Sequence, residues 1–128
     1  MIVNNTLLQF AAVGAGGMIG AMLRYGIQWL GLFGPSFYNT LCVNLTGSFI
    51  MGVVFALLSR GGLSAWWSLL IMTGILGGYT TYSAFSLDFI TLLRQSRVLD
   101  AFMYWGLTSV FAPALCALGF FVADKIVK

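Results

Sequence analysis

The sequence predicts an all-α membrane protein, one domain over residues 1–128 made of four transmembrane helices with a broken third helix. Three observations predict it. Hydrophobic residues make up 60% of the chain and charged residues 7%, with a mean hydropathy of +0.98, where soluble domains carry about 25% charged residues. Four apolar stretches each approach the roughly 20 residues of helix that a bilayer core of about 30 Å requires. The third stretch is interrupted from Gly77 to Ser86 by glycines, hydroxyls and aromatics.

The first helix is expected from Leu7 to Leu30, with Arg24 near its end. No Lys or Arg precedes the apolar run, and the run continues to Leu23, beyond the roughly 7 to 15 residues of a signal h-region, so a retained helix is expected. A Gly/Pro/Ser segment, Gly31 to Ser36, separates it from the second helix, Thr40 to Ser59, which contains Asn44. The turn Arg60 to Ser64 leads to the third stretch, Ala65 to Leu93, and the polar loop Arg94 to Asp100 to the fourth, Ala101 to Val122. Such short connections make consecutive helices antiparallel neighbours and put both termini on one side.

Six basic residues set the orientation question. Arg60, Lys125 and Lys128 fall on the side of the termini, and Arg24, Arg94 and Arg97 on the other. Lys and Arg in loops decide which side faces the cytoplasm, and here they balance. The chain is therefore expected to insert both ways and to pair as an antiparallel, dual-topology dimer. The same scatter leaves no basic stripe for a phosphate backbone, which excludes nucleic acid as a partner. Cys42 and Cys116 lie in apolar runs without a CxxC spacing and read as buried thiols.

Catalysis is excluded by inventory. The chain has no histidine and no glutamate, and its acids, Asp88, Asp100 and Asp124, lie near helix ends. Paired carboxylates, nucleophile and base pairs and metal clusters are all missing.

Binding groups concentrate in the third helix. Gly77-Gly78 followed by Thr80, Thr81 and Ser83 is expected to weaken the helix there. Unwound backbone in a membrane survives where protein buries it or where it lines a wet cavity, and freed carbonyls can hold a cation. Tyr79, Tyr82 and Phe85 recur every third residue, a spacing that stacks them on one helical face. Their electropositive ring edges can face an anion, with the hydroxyls of Thr81, Ser83 and Ser86 beside them. Against this stands plain packing, with hydroxyls bonded back to carbonyls one turn earlier. Asn44 needs polar partners within an apolar helix, and Arg24 either snorkels or marks the mouth of an anion pathway.

Three motifs carry a resemblance. Gly16-Gly17-Met18-Ile19-Gly20-Ala21-Met22-Leu23-Arg24-Tyr25, Asn39-Thr40-Leu41-Cys42-Val43-Asn44-Leu45-Thr46-Gly47 and the run Gly74 to Ser86 resemble, in register, the signatures of the CrcB/Fluc fluoride channels. The resemblance implies a fluoride-selective passive channel of the inner (plasma) membrane that exports fluoride and lowers its cytoplasmic concentration. It implies an antiparallel homodimer with two pores and a structural Na+ at its centre, held by the backbone carbonyls of Gly77 and Thr80. It places Asn44, Thr81, Tyr82, Ser83, Phe85, Tyr104 and Thr108 along the pore, and Arg24 and Thr40 in its vestibule.

The chain departs from the family pattern at Asn39, Tyr82, Ala84 and Ala112, and Pro113 adds a potential kink to the fourth helix. These differences bear on conduction and selectivity and leave the fold unchanged. They also fit one subunit of a heterodimeric fluoride channel, although the balanced charges favour a homodimer. A small multidrug-resistance-type proton-coupled exporter shares the four-helix architecture, but it needs an early intramembrane acid, and none precedes Asp88. A purely structural membrane subunit would leave Asn44, the break and the aromatics without a role.

Overall fold

A computed structural model describes residues 2–61 and 64–127 of the chain. Helix α1 spans Ile2–Leu30 and α2 spans Ser36–Ser59. The third helix is divided into α3, residues 65–79, and α4, Tyr82–Arg94, while α5 runs unbroken from Val98 to Ile126. Among the described residues α1, α2 and α5 are each long and apolar enough to cross a membrane. Neither half of the third helix reaches that length alone; together they supply the fourth crossing. Leu, Phe, Trp and Met side chains stand exposed along the outer faces of these helices, as expected where the solvent is lipid.

Helix ends extend past the apolar runs that predicted them. Helix α1 begins at Ile2 instead of Leu7, since nothing in the polar residues before Leu7 breaks a helix. Helix α2 begins at Ser36 instead of Thr40, directly after Pro35. There the Asn39 amide donates to the carbonyls of Gly34 and Pro35, at 2.9 and 3.3 Å, and accepts from the Phe33 N–H at 3.1 Å. The side chain thus satisfies the turn from within the helix. Helix α5 starts three residues before Ala101 and runs beyond Val122; Asp100 in its first turn and Lys125 in its last complement its dipole. The expected turn Arg60 to Ser64 includes Gly62 and Leu63, which lie outside the described residues, as does Lys128.

Packing proceeds by close backbone contact. A Cβ on Gly16 or Gly20 of α1 would collide with the carbonyls of Leu70 and Ile75, and one on Gly78 would lie 3.0 Å from the Gly17 Cα. Helix α3 is widened into π-helical geometry from Leu69 to Leu76 along this contact. On the other side of the molecule, a Cβ on Gly52 of α2 would strike the Cys116 carbonyl of α5, and one on Gly119 the Phe49 carbonyl. These glycines therefore serve contacts within one chain. Phe37, Phe85, Leu92, Ala101 and Tyr104 form a core where α2, α4 and α5 meet.

Candidate functional site

The break in the third helix is narrower than the interruption seen in sequence. Gly77, Gly78 and Tyr79 are helical, as is everything from Tyr82 to Ser86; only Thr80 (ψ 156°) and Thr81 (φ −154°, ψ 121°) are extended. The break expected over Gly77-Gly78, Thr80, Thr81 and Ser83 is present and falls on the two threonines, not on the glycines. Gly78 is needed for contact with α1, and two β-branched threonines, which favour extended backbone, make the break.

Side chains from three helices hold it open. Asn44 donates from Nδ2 to the Thr81 carbonyl at 2.9 Å and accepts the Thr81 N–H on Oδ1 at 2.8 Å. Its amide thereby replaces a peptide neighbour. Arg24 donates from Nε to the Gly78 carbonyl at 3.2 Å, at the negative end of α3 where a cation is favoured. Thr81 caps α4 by accepting the Ala84 N–H on Oγ1 at 3.1 Å.

These bonds divert the donors that a continuous helix would give to two particular carbonyls. The Thr81 N–H would have bonded the Gly77 carbonyl and serves Asn44; the Ala84 N–H would have bonded the Thr80 carbonyl and serves Thr81 Oγ1. A pair of carbonyl oxygens relieved of helical donors suits a hard cation.

The aromatic column is corrected as well. Tyr79 lies before the break and Tyr82 after it, so the three-residue spacing no longer places them on one face. Tyr79 turns to α2, where its hydroxyl lies 3.0 Å from Thr46 Oγ1. The rings that do line up are Tyr82 and Phe85 at 5.4 Å, Phe85 and Tyr104 at 5.1 Å, and Tyr104 and Phe37 at 5.7 Å. Phe85 is buried and Tyr82 is 78% exposed, so the column runs from the core of the chain to its surface.

Beside it lies a groove of about 440 Å³ that brings together Asn44, Thr80, Thr81, Tyr82, Phe85 and Thr108. Tyr82 and Phe85 divide it from a second hollow of about 300 Å³ lined also by Ser86, Phe89 and Trp105. Not every hydroxyl here is available. Ser86 donates to the Tyr82 carbonyl, Thr80 to Leu76 and Thr108 to Tyr104, at 2.9 to 3.0 Å. Each of these hydroxyls bonds back to a carbonyl one turn earlier. Ser83, exposed, pairs with Thr81 Oγ1 at 3.3 Å.

Tyr104 and Thr40 belong to a second polar cluster. The buried Tyr104 hydroxyl donates to Asp88 Oδ2 at 3.2 Å. Thr40, also buried, accepts from Gln28 Nε2 at 2.9 Å and donates to the Ser36 carbonyl at 3.2 Å. Gln28 and Asp88 were not singled out from sequence. The signal for Gln28 was an amide one turn after Arg24 in an apolar helix, and for Asp88 an acid just past the hydroxyl-rich run.

Residues 11–120 match the family described as CrcB-like protein, Camphor Resistance (CrcB). The chain belongs to the CrcB family. The match spans every candidate residue from Arg24 to Thr108. CrcB relatives similar to this chain include a fluoride-specific ion channel FluC of Aeromonas salmonicida (strain A449), 45% identical over 119 residues, covering 89% of this chain and 95% of the relative. One of the same name from Caulobacter sp. (strain K31) is 39% identical over 119 residues, covering 89% and 93%. Another, from Mesorhizobium japonicum, is 44% identical over 115 residues, covering 87% and 92%.

Proposed function

We infer that this CrcB protein is a fluoride channel of the plasma membrane that lets fluoride leave the cell passively. The observation that carries the reading is the 45% identity to a fluoride-specific ion channel over 89% of the chain, a span that takes in the break, the groove and the aromatic column. It is a channel and not an enzyme.

Two antiparallel copies form the conducting unit, with two pores. The open groove supports this, since one chain supplies only a wall. Fluoride passes along Asn44, Thr81, Ser83, Tyr82 and Phe85 and onward past Thr108 and Tyr104. Ring edges and hydroxyls there replace its water without a fixed positive charge that would trap it. Arg24 and Thr40 belong to the approach. The Gly77 and Thr80 carbonyls of the two copies would hold Na+, a fixed charge that ties the broken helices together.

The test is flux from proteoliposomes. Fluoride should leave far faster than chloride and at a rate independent of a proton gradient; transport that stops when that gradient is collapsed would defeat the channel reading. Phe85→Ile keeps apolar volume and removes the ring edge, and should abolish flux while the dimer persists. Unchanged flux would reduce the aromatic column to packing.

A further inference from the structure

Pro113 lies inside the unbroken helix α5. It has no N–H, so the Ser109 carbonyl loses the donor that any other residue at position 113 would supply. Ser109 and Pro113 both line the groove with Asn44 and Thr81, so the residue that carries this carbonyl and the one that lacks the donor both border it. An acceptor left bare at membrane depth is costly unless water or protein meets it.

The other polar groups nearby are mostly engaged. Thr108 donates to its own helix, and both ends of the Asn44 amide are held by Thr81. Ala112, one turn beyond Thr108, has no polar side-chain atom. Ser48 and Ser109 line the same groove, and neither hydroxyl has a partner among the described residues. At the Pro113 end the groove therefore holds one carbonyl without its i+4 helical donor and two hydroxyls with no partner among the described residues. A water needs two to four such partners and about 30 Å³, well within the 440 Å³ present.

We propose that the Ser109 carbonyl, freed by Pro113 and flanked by the Ser48 and Ser109 hydroxyls, binds a water that offers its second hydrogen to the passing anion. A carbonyl oxygen by itself repels an anion. A water that gives one hydrogen to the carbonyl turns the other outward, so an acceptor wall becomes a donor wall. The part played by the anion rests on the channel reading; the water site does not. The close contacts of Gly52 with Cys116 and of Gly119 with Phe49 fix α5 just beyond Pro113, so restoring an N–H at 113 leaves the helix in place.

Ser109-Val110 is the one Ser-Val pair in the sequence. Labelling with carbonyl-¹³C serine and ¹⁵N valine therefore selects the Ser109 carbonyl by its one-bond coupling in solid-state NMR of proteoliposomes. Magnetisation transferred from water should reach this carbonyl at least threefold faster in the natural chain than in Pro113→Ala. Equal transfer would overturn the water site. In the flux assay, Pro113→Ala should lower fluoride efflux about tenfold, and adding Ala112→Ser, which supplies a hydroxyl beside Thr108, should restore most of it. Efflux that stays unchanged while the water is lost would overturn the handover to the anion. Absence of fluoride efflux from the natural chain would overturn the channel reading, with the NMR comparison still deciding the water site.

Discussion

Asn44 does more for the break than either glycine before it. Its amide takes both backbone groups of Thr81, and each buried group left unpaired costs about 1 to 3 kcal/mol. Asn44→Ala should therefore destabilise the chain by about 2 kcal/mol or more, read as a lowered midpoint of unfolding in a detergent titration. Asn44→Asp keeps the acceptor for the Thr81 N–H but faces the Thr81 carbonyl with a second acceptor, and should fall lower still. If Asp matched Asn, the bond to the carbonyl would contribute nothing. The sequence made Asn44 conspicuous as an amide in an apolar helix. It could not show that the partner was the backbone of Thr81, 37 positions away, because that pairing exists only once α2 lies beside the broken helix.

Element boundaries follow local chemistry that the apolar pattern does not report. The end of α4 is an example: the Arg97 N–H bonds the Leu92 carbonyl at 2.9 Å and the Ser96 N–H bonds Leu93 at 3.0 Å, the double closure of a Schellman turn. It requires a positive φ at Ser96, 60°, where glycine is normally found. Ser96→Gly should raise stability by about 0.5 to 1 kcal/mol, because the cost of a left-handed side chain exceeds the entropy glycine adds to the unfolded chain. A lower unfolding midpoint for this variant would mean that the turn carries no such strain. The sequence marked Arg94 to Asp100 as a loop through its charges, and the four apolar stretches were legible for the same reason. The exact break was not. Gly77-Gly78 looked like the weak point, yet packing against Gly17 keeps Gly78 helical. The three-residue aromatic spacing likewise assumed a helix that continues through Thr80-Thr81, and so misplaced Tyr79.

At the scale of the whole molecule, the distribution of charge decides how the chain enters a membrane. At one end Arg60 pairs with Asp124, and at the other Arg97 pairs with Asp100. Acids count for little in orientation, so neither pair removes its arginine from the tally. Arg24 is held at the Gly78 carbonyl between two helices and acts less as a loop charge than its position suggests. The balance then favours the end with the termini by a single residue. A reporter fused to the C-terminus should accordingly be labelled from both faces of the membrane, and labelling from one face only would exclude an antiparallel pair. Two added lysines, Gln95→Lys and Leu99→Lys, lie in and beside the opposite loop, where both native side chains are exposed, and should drive insertion with that loop in the cytoplasm. If conduction needs one copy of each orientation, fluoride efflux should fall at least tenfold in cells making this variant alone. It should return when a variant biased the other way, with Ser59→Lys and Ser64→Lys, is made beside it. Full efflux from either variant alone would show that copies of like orientation conduct, and the groove on each chain would then have to close against a parallel neighbour.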